Sequence, residues 1–103
     1  MLTVEQLLES GYKEYVDQIH KFGRSWSKIV RGSDGRKRYY VECHEFDWTR
    51  YPAIGHPCDR TFSFSVQFTR NGLIFGTHLS SDDLSQAEEF IETLFVTMGC
   101  DDY

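Results

Sequence analysis

The stretch Thr61-Phe62-Ser63-Phe64-Ser65-Val66-Gln67-Phe68-Thr69, running on into Arg70-Asn71-Gly72, decides the fold. Phe62, Phe64, Val66 and Phe68 alternate with small or polar residues. That two-residue period belongs to a strand with one buried and one wet face. Asn71-Gly72 is the strongest short hairpin signal, because both residues of the tight turn need positive φ. With these two as the turn, Phe68 faces Phe75, Val66 faces Thr77 and Phe64 faces Leu79. Turn chemistry and hydrophobic pattern thus agree on one register.

Upstream, Ser33-Asp34-Gly35-Arg36 carries a second hairpin signal between strands at about 25–31 and 36–47. An Asp34-Gly35 turn sets Val30 opposite Tyr39, Lys28 opposite Val41 and Trp26 opposite Cys43. The other face receives Ile29 with Tyr40, Ser27 with Glu42, and Ser25 with His44. The first set is more apolar and is assigned to the core, with Lys28 near an edge.

Both ends of the chain switch to helical spacing. Thr3-Val4-Glu5-Gln6 fits a capping box, with Leu2 and Leu7 placed for a hydrophobic staple. Val4, Leu8, Tyr12, Tyr15, Ile19 and Phe22 continue one stripe, which predicts a first helix over about residues 4–22. Gly11 weakens it locally, and Gly23 is its expected stop, with Lys21 suited to the C-terminal end of the dipole. A second helix is expected at about 83–98, capped by Asp82 or Ser81 and ended by Gly99. Its apolar stripe is Leu84, Ala87, Ile91, Leu94, Phe95 and Met98, while Glu88, Glu89 and Glu92 are expected to face water. The tail from Cys100 onward is expected to fray.

These elements predict one α+β domain over residues 1–103. A single antiparallel four-stranded sheet of two hairpins carries an N-terminal and a C-terminal helix on one face, in the order αββββα. The core face bears Phe62, Phe64, Phe68, Phe75, Val41 and Tyr39. The element order is similar to the α-βββ-α of double-stranded-RNA-binding domains, and the similarity stops at order. The second helix here has no Lys or Arg, whereas in those domains it is basic.

Size and composition bound the function. A chain of 103 residues is one domain. Aromatic residues make up 16% of it, which points to a core built on large rings. No apolar run of about 18 residues exists, so no membrane association is expected. The first ten residues contain acids but no bases, unlike a secretory leader. Three cysteines without framework spacing (Cys43, Cys58 and Cys100) read as reduced thiols, so the expected location is cytoplasmic.

The net charge of −5 is unevenly spread. Residues 24–38 hold six bases (Arg24, Lys28, Arg31, Arg36, Lys37 and Arg38) against one acid, Asp34. Residues 81–103 hold seven acids and no base. Such polarity orients charged partners.

No catalytic motif is present, so the expectation is a small acidic protein that is not an enzyme and carries no cofactor and no metal. It would act by stoichiometric binding to a protein partner, such as a nucleic-acid-binding protein or complex, as a monomer or homodimer. In size and charge it resembles phage or mobile-element inhibitors of host defence enzymes, and toxin-neutralising immunity proteins. Two binding surfaces are expected. One is the acidic helix with Asp82, Asp83, Glu88, Glu89 and Glu92, which would occupy a basic groove. The other is the second sheet face (Ser63, Ser65, Gln67, Thr69, Ile74 and His78, with Tyr40, Glu42 and His44) together with Trp48 and Tyr51 of the long loop 48–59. The alternative reading is nucleic-acid binding by the hairpin bases Arg31, Arg36, Lys37 and Arg38. Weaker candidates are a His56/Cys58 nucleophile or ligand pair, and a carboxylate site at Glu42, Glu45 and Asp47.

Overall fold

A computed structural model of the chain describes residues 1–16 and 23–102. Within them the elements are α1 (Val4–Glu9), β1 (Lys13–Tyr15), β2 (Ser25–Arg31), β3 (Lys37–Asp47), β4 (Arg60–Arg70), β5 (Leu73–Ser80) and α2 (Leu84–Thr97). The strands form one antiparallel meander in chain order, β1-β2-β3-β4-β5. The expected α+β class with a single antiparallel sheet holds. Among the described residues the sheet has five strands rather than four, and the order αββββα becomes αβββββα.

The difference lies in the first helix. It starts as read: the Thr3 side chain accepts from the Gln6 N–H and the Gln6 side chain accepts from the Thr3 N–H, a complete capping box. Leu2 and Leu7, the staple pair, are both buried. It stops after Glu9. Gly11 has φ +93, the Tyr12 N–H donates to the Leu7 carbonyl at 3.0 Å, and the Gly11 N–H donates to Leu8 at 3.1 Å. These two bonds are a Schellman closure, which needs a residue of positive φ and therefore favours glycine. The chain then extends, and Glu14 pairs with Trp26 of β2. Tyr12 and Tyr15 matched helical spacing, yet they belong to the turn and to β1. Leu8 is exposed. The remainder of the predicted helix, with Ile19 and Phe22, lies outside the described residues.

Gly23 has a different role from the helix stop expected of it. A Cβ there would sit 1.7 Å from the Glu45 carbonyl oxygen, so the lead into β2 passes too close to β3 for any side chain. The adjoining ladder bond, Glu45 N–H to the Arg24 carbonyl at 2.8 Å, depends on that approach.

Both hairpins keep the expected registers. Val30 pairs with Tyr39, Lys28 with Val41 and Trp26 with Cys43, with an irregularity only between Val30 and Arg31. Phe68 pairs with Phe75, Val66 with Thr77 and Phe64 with Leu79. β3 joins them by pairing Cys43 with Phe64 and Val41 with Val66. Trp26, Val41, Cys43, Phe64, Val66 and Phe68 form the buried sheet layer. Leu7 of α1 and Leu84, Ala87, Ile91 and Phe95 of α2 close over it. The Phe68 ring stands 5.9 Å from Phe75 and 6.2 Å from Phe95, and Tyr39 lies edge-on to Phe68 at 5.6 Å.

α2 is capped by Asp83, which accepts from the Gln86 N–H, and ends at Gly99 in the same closure as α1. The tail is docked at least to Asp101, where fraying was expected. The Asp101 N–H donates to the Thr69 carbonyl at 2.7 Å, and its carboxylate accepts from the Asn71 N–H at 2.7 Å. These bonds tie the end of α2 to the β4–β5 turn.

Candidate binding face

The meander places the basic hairpin directly beneath the acidic helix. Lys28, on the core side of β2, donates to Glu88 at 2.6 Å and to the Ser10 carbonyl at 3.0 Å, and its Nζ lies 4.6 Å from the Tyr12 ring centre. One helical turn on, Glu92 pairs with Arg38 at 2.5 Å and accepts from the Tyr39 hydroxyl at 2.7 Å. The Arg38 guanidinium lies over the Phe95 ring at 4.4 Å. Glu88 and Glu92 thus bridge the seam between helix and sheet, each still partly exposed, where both were expected simply to face water. Burial and the Glu92 carboxylate together hold the Tyr39 phenol well above the usual tyrosine range. Burial, then Glu88, does the same for Tyr12.

The other charged candidates stay outside the seam. Glu89 and Asp82 are exposed, and Asp83 is committed to the α2 cap. Arg31 reaches back to the Gly35 carbonyl at 3.0 Å, Arg36 lies 3.7 Å from Asp34, and Lys37 is half-buried at the start of β3.

The second sheet face is set out in rows by the ladder registers. One row runs Ile29-Tyr40-Gln67-Gly76 across β2 to β5. The next runs Ser27-Glu42-Ser65-His78, and the third Ser25-His44-Ser63-Ser80. Thr69 and Ile74 begin a further row at the hairpin end.

The two ends of this face differ. In the third row Ser25 and His44 are 2% and 4% exposed. Ser25 Oγ lies 2.9 Å from His44 Nδ1, Glu42 lies 3.3 Å from His44 Nε2, and the Tyr15 hydroxyl donates to Glu42 at 2.8 Å. The Ser-His-Glu arrangement has the composition of a hydrolytic relay, but Ser25 Oγ is enclosed and not presented to a substrate. Buried polar contacts of this kind fix strand register. The end around the first row is open: Ile29 is 43% and Ile74 73% exposed, with Tyr40 half-buried between the Ile29 and Gln67 strands. His78 is exposed and its Nδ1 lies 2.9 Å from the Ser65 hydroxyl.

The long loop is built around one aromatic stack. Trp48 lies parallel to His56 at 4.5 Å, stacks on Phe46 at 5.8 Å, and donates from Nε1 to Thr61 at 2.8 Å. Tyr51 is half-buried between two single 3-10 turns, Trp48–Arg50 and Pro52–Ile54. The stack uses Trp48 to order the loop, so Trp48 is an internal support more than an offered anchor.

The weaker chemical candidates separate. The Cys58 N–H donates to His56 Nδ1, the local turn bond of the His-Pro-Cys segment. Glu45 is buried with Arg60 at 3.9 Å, and Asp47 caps the following turn through Thr49. The three cysteines are free thiols: Cys43 is buried, Cys58 exposed and Cys100 between them. Burial pushes the Cys43 thiol up to about 12. No helix among the described residues is long and apolar enough to cross a membrane.

Compared with protein-family models, curated proteins and solved structures, the chain matches none.

Proposed function

We propose that this protein is a small non-catalytic binding module that acts by stoichiometric occupation of a protein partner, in the manner of an inhibitor or immunity factor. The open end of the second sheet face, centred on Tyr40, is the docking surface. One observation carries this reading. Both helices lie on the other side of the sheet, and the open end presents the row Ile29-Tyr40-Gln67-Gly76 with no charged side chain, and Ile74 in the row beyond it. A flat face with an aromatic anchor, flanking aliphatic residues and hydroxyl and amide groups fits recognition by shape and hydrogen bonding. The acidic helix is secondary on this reading, because Glu88 and Glu92 are engaged with Lys28 and Arg38 and leave Glu89 and Asp82 as its outward acids.

The test is capture of the partner with the tagged protein, followed by calorimetry of the purified pair. Wild type should bind with a one-to-one subunit ratio, and Tyr40→Ala should weaken binding by about 30-fold, the scale of an interface hot spot of ~2 kcal/mol. Gln67→Arg, exposed and central, should do the same. Affinity unchanged in both variants sinks the sheet-face reading. Co-purifying nucleic acid, released by salt and lost on changing Arg31, Arg36 and Lys37 to Ala, would establish the hairpin alternative in its place.

A further inference from the structure

The two edges of the sheet are protected very differently. The β1 edge is three residues long and two of them, Lys13 and Glu14, are charged, which is how native edges discourage strand addition. The β5 edge, Leu73-Ile74-Phe75-Gly76-Thr77-His78-Leu79-Ser80, is eight residues long with no Lys, Arg, Asp, Glu or Pro. Leu73 is 71% and Ile74 73% exposed.

The backbone groups available there follow from the turn. Asn71 and Gly72 both have positive φ (53° and 78°), which makes a two-residue turn of the primed kind. Its flanking pair, Arg70 with Leu73, is then hydrogen-bonded, and so by alternation are Phe68 with Phe75, Val66 with Thr77 and Phe64 with Leu79. Ile74, Gly76, His78 and Ser80 therefore direct their N–H and C=O groups away from β4. Among the described residues no other backbone hydrogen bond takes them up.

We propose that this edge pairs with β5 of a second copy of the same chain, antiparallel about a two-fold axis through Gly76. The register is self-complementary. Gly76 meets Gly76 with no side chain to collide, Ile74 meets His78, Phe75 meets Thr77, and the exposed Leu73 meets Leu79. Outward-facing backbone groups then oppose one another, giving about six inter-chain bonds. A shift of one step toward Ser80 would set Leu73 against Ser81 and strand that leucine.

α2 extends the apolar edge. Glu88 and Glu92 fix the flank of the helix that faces β2 and β3, and Phe90 stands about 160° round from both, on the flank toward β5. It is 53% exposed. An eight-residue strand is ~27 Å long, and sheet plus helix are ~20 Å deep. Two such edges cover about 1,100 Å² in total, just above the ~1,000 Å² that a specific interface must reach. The dimer joins two five-stranded sheets into one and leaves Ile29, Tyr40 and Gln67 free; Ile74, at the margin of the docking face above, is the side chain the two surfaces share.

The experiment is sedimentation equilibrium on the full chain and two double variants at exposed positions. Wild type should dimerise at or below about 100 μM, the range fitting an interface of this modest size. Ile74→Lys with His78→Lys sets lysines opposite one another twice and should weaken dimerisation at least about 10-fold. Ile74→Lys with His78→Glu sets opposite charges across the same pairs and should restore it. Circular dichroism confirms that each variant is folded. A wild type that stays monomeric at ~100 μM overturns the proposal, and so does equal dimerisation of the two variants, because only this register makes them differ. Pairing of the edge with some other chain would appear as the monomeric outcome.

Discussion

Replacing Glu88 by Gln, with Glu89 by Gln as its control, isolates the seam between α2 and the basic hairpin. The substitutions are neighbours in the same helix interior, remove the same charge and keep the same shape, so helix propensity, net charge and dipole position nearly cancel. They differ in one respect: Glu88 receives Lys28 at 2.6 Å and Glu89 is exposed. Lys28 keeps 17% and Glu88 32% side-chain exposure. This pair therefore lies between the ~0.2–1 kcal/mol of an exposed ion pair and the ~1.5–3 kcal/mol of a buried hydrogen bond to a charged group. Glu88→Gln should cost about 1–1.5 kcal/mol, and Glu89→Gln less than about 0.3. Denaturant unfolding reads the difference directly, and thermal unfolding should show it as about 4–8 °C per kcal/mol. A cycle with Lys28→Met, which preserves contact with the Tyr12 ring, should return a coupling of about 1 kcal/mol. Equal effects at 88 and 89, or no coupling to Lys28, would refute the view that these carboxylates anchor the helix. The result also determines how binding tests are built. Reversing Glu88, Glu89 and Glu92 together would confound docking with folding, whereas Glu89→Lys probes the acidic surface alone.

Gly23→Ala should destabilise the fold by at least about 2 kcal/mol, because its Cβ would overlap the Glu45 carbonyl at 1.7 Å and the strands must part to admit it; an unchanged urea midpoint would contradict the close approach. Stability should fall at high pH. Cys43, Tyr12 and Tyr39 are all held protonated in the folded state, so their contribution is complete below the ordinary thiol and phenol ranges, about 8.5–10. It is lost as pH rises toward the folded values, about 12 for Cys43. Tyrosinate absorbance should show Tyr12 and Tyr39 ionising only on unfolding, and smooth titration of all six tyrosines in the folded protein would be the contrary result.

Both hairpins were legible because two independent signals coincide in each. A glycine-containing turn fixes where the chain reverses, and side-chain parity fixes which face is buried, so a slip of one residue would expose Phe64 and Phe68 together. The first helix was overextended for a physical reason. Tyr12 and Tyr15 stand at i+4 and i+7 from Leu8, spacing that suits a helix equally well, and a glycine inside such a stripe costs a helix only ~1 kcal/mol. What stops it is the closure of Tyr12 N–H onto Leu7, together with β1 pairing to residues ten or more positions away. The seam was hidden for the same reason. Lys28 and Glu88 are sixty residues apart, and strand order, which no local pattern encodes, brings them together. The second sheet face was read correctly in membership, while the Ser25–His44 and Tyr15–Glu42 contacts that close one end of it depend on that same long-range pairing.

The meander has a consequence for synthesis on the ribosome. Each strand pairs with the one made just before it, so β1 to β5 can assemble progressively as the chain emerges. α2 follows them all, and until it is complete Phe64, Val66 and Phe68 lack the Ile91 and Phe95 side chains that cover them. At about 5–20 residues per second, making the segment from Ser81 to Met98 takes about 1–4 s. For that interval the nascent protein is an aromatic sheet covered by α1 alone, and the window in which a chaperone has something to hold opens with β4 and closes with Phe95.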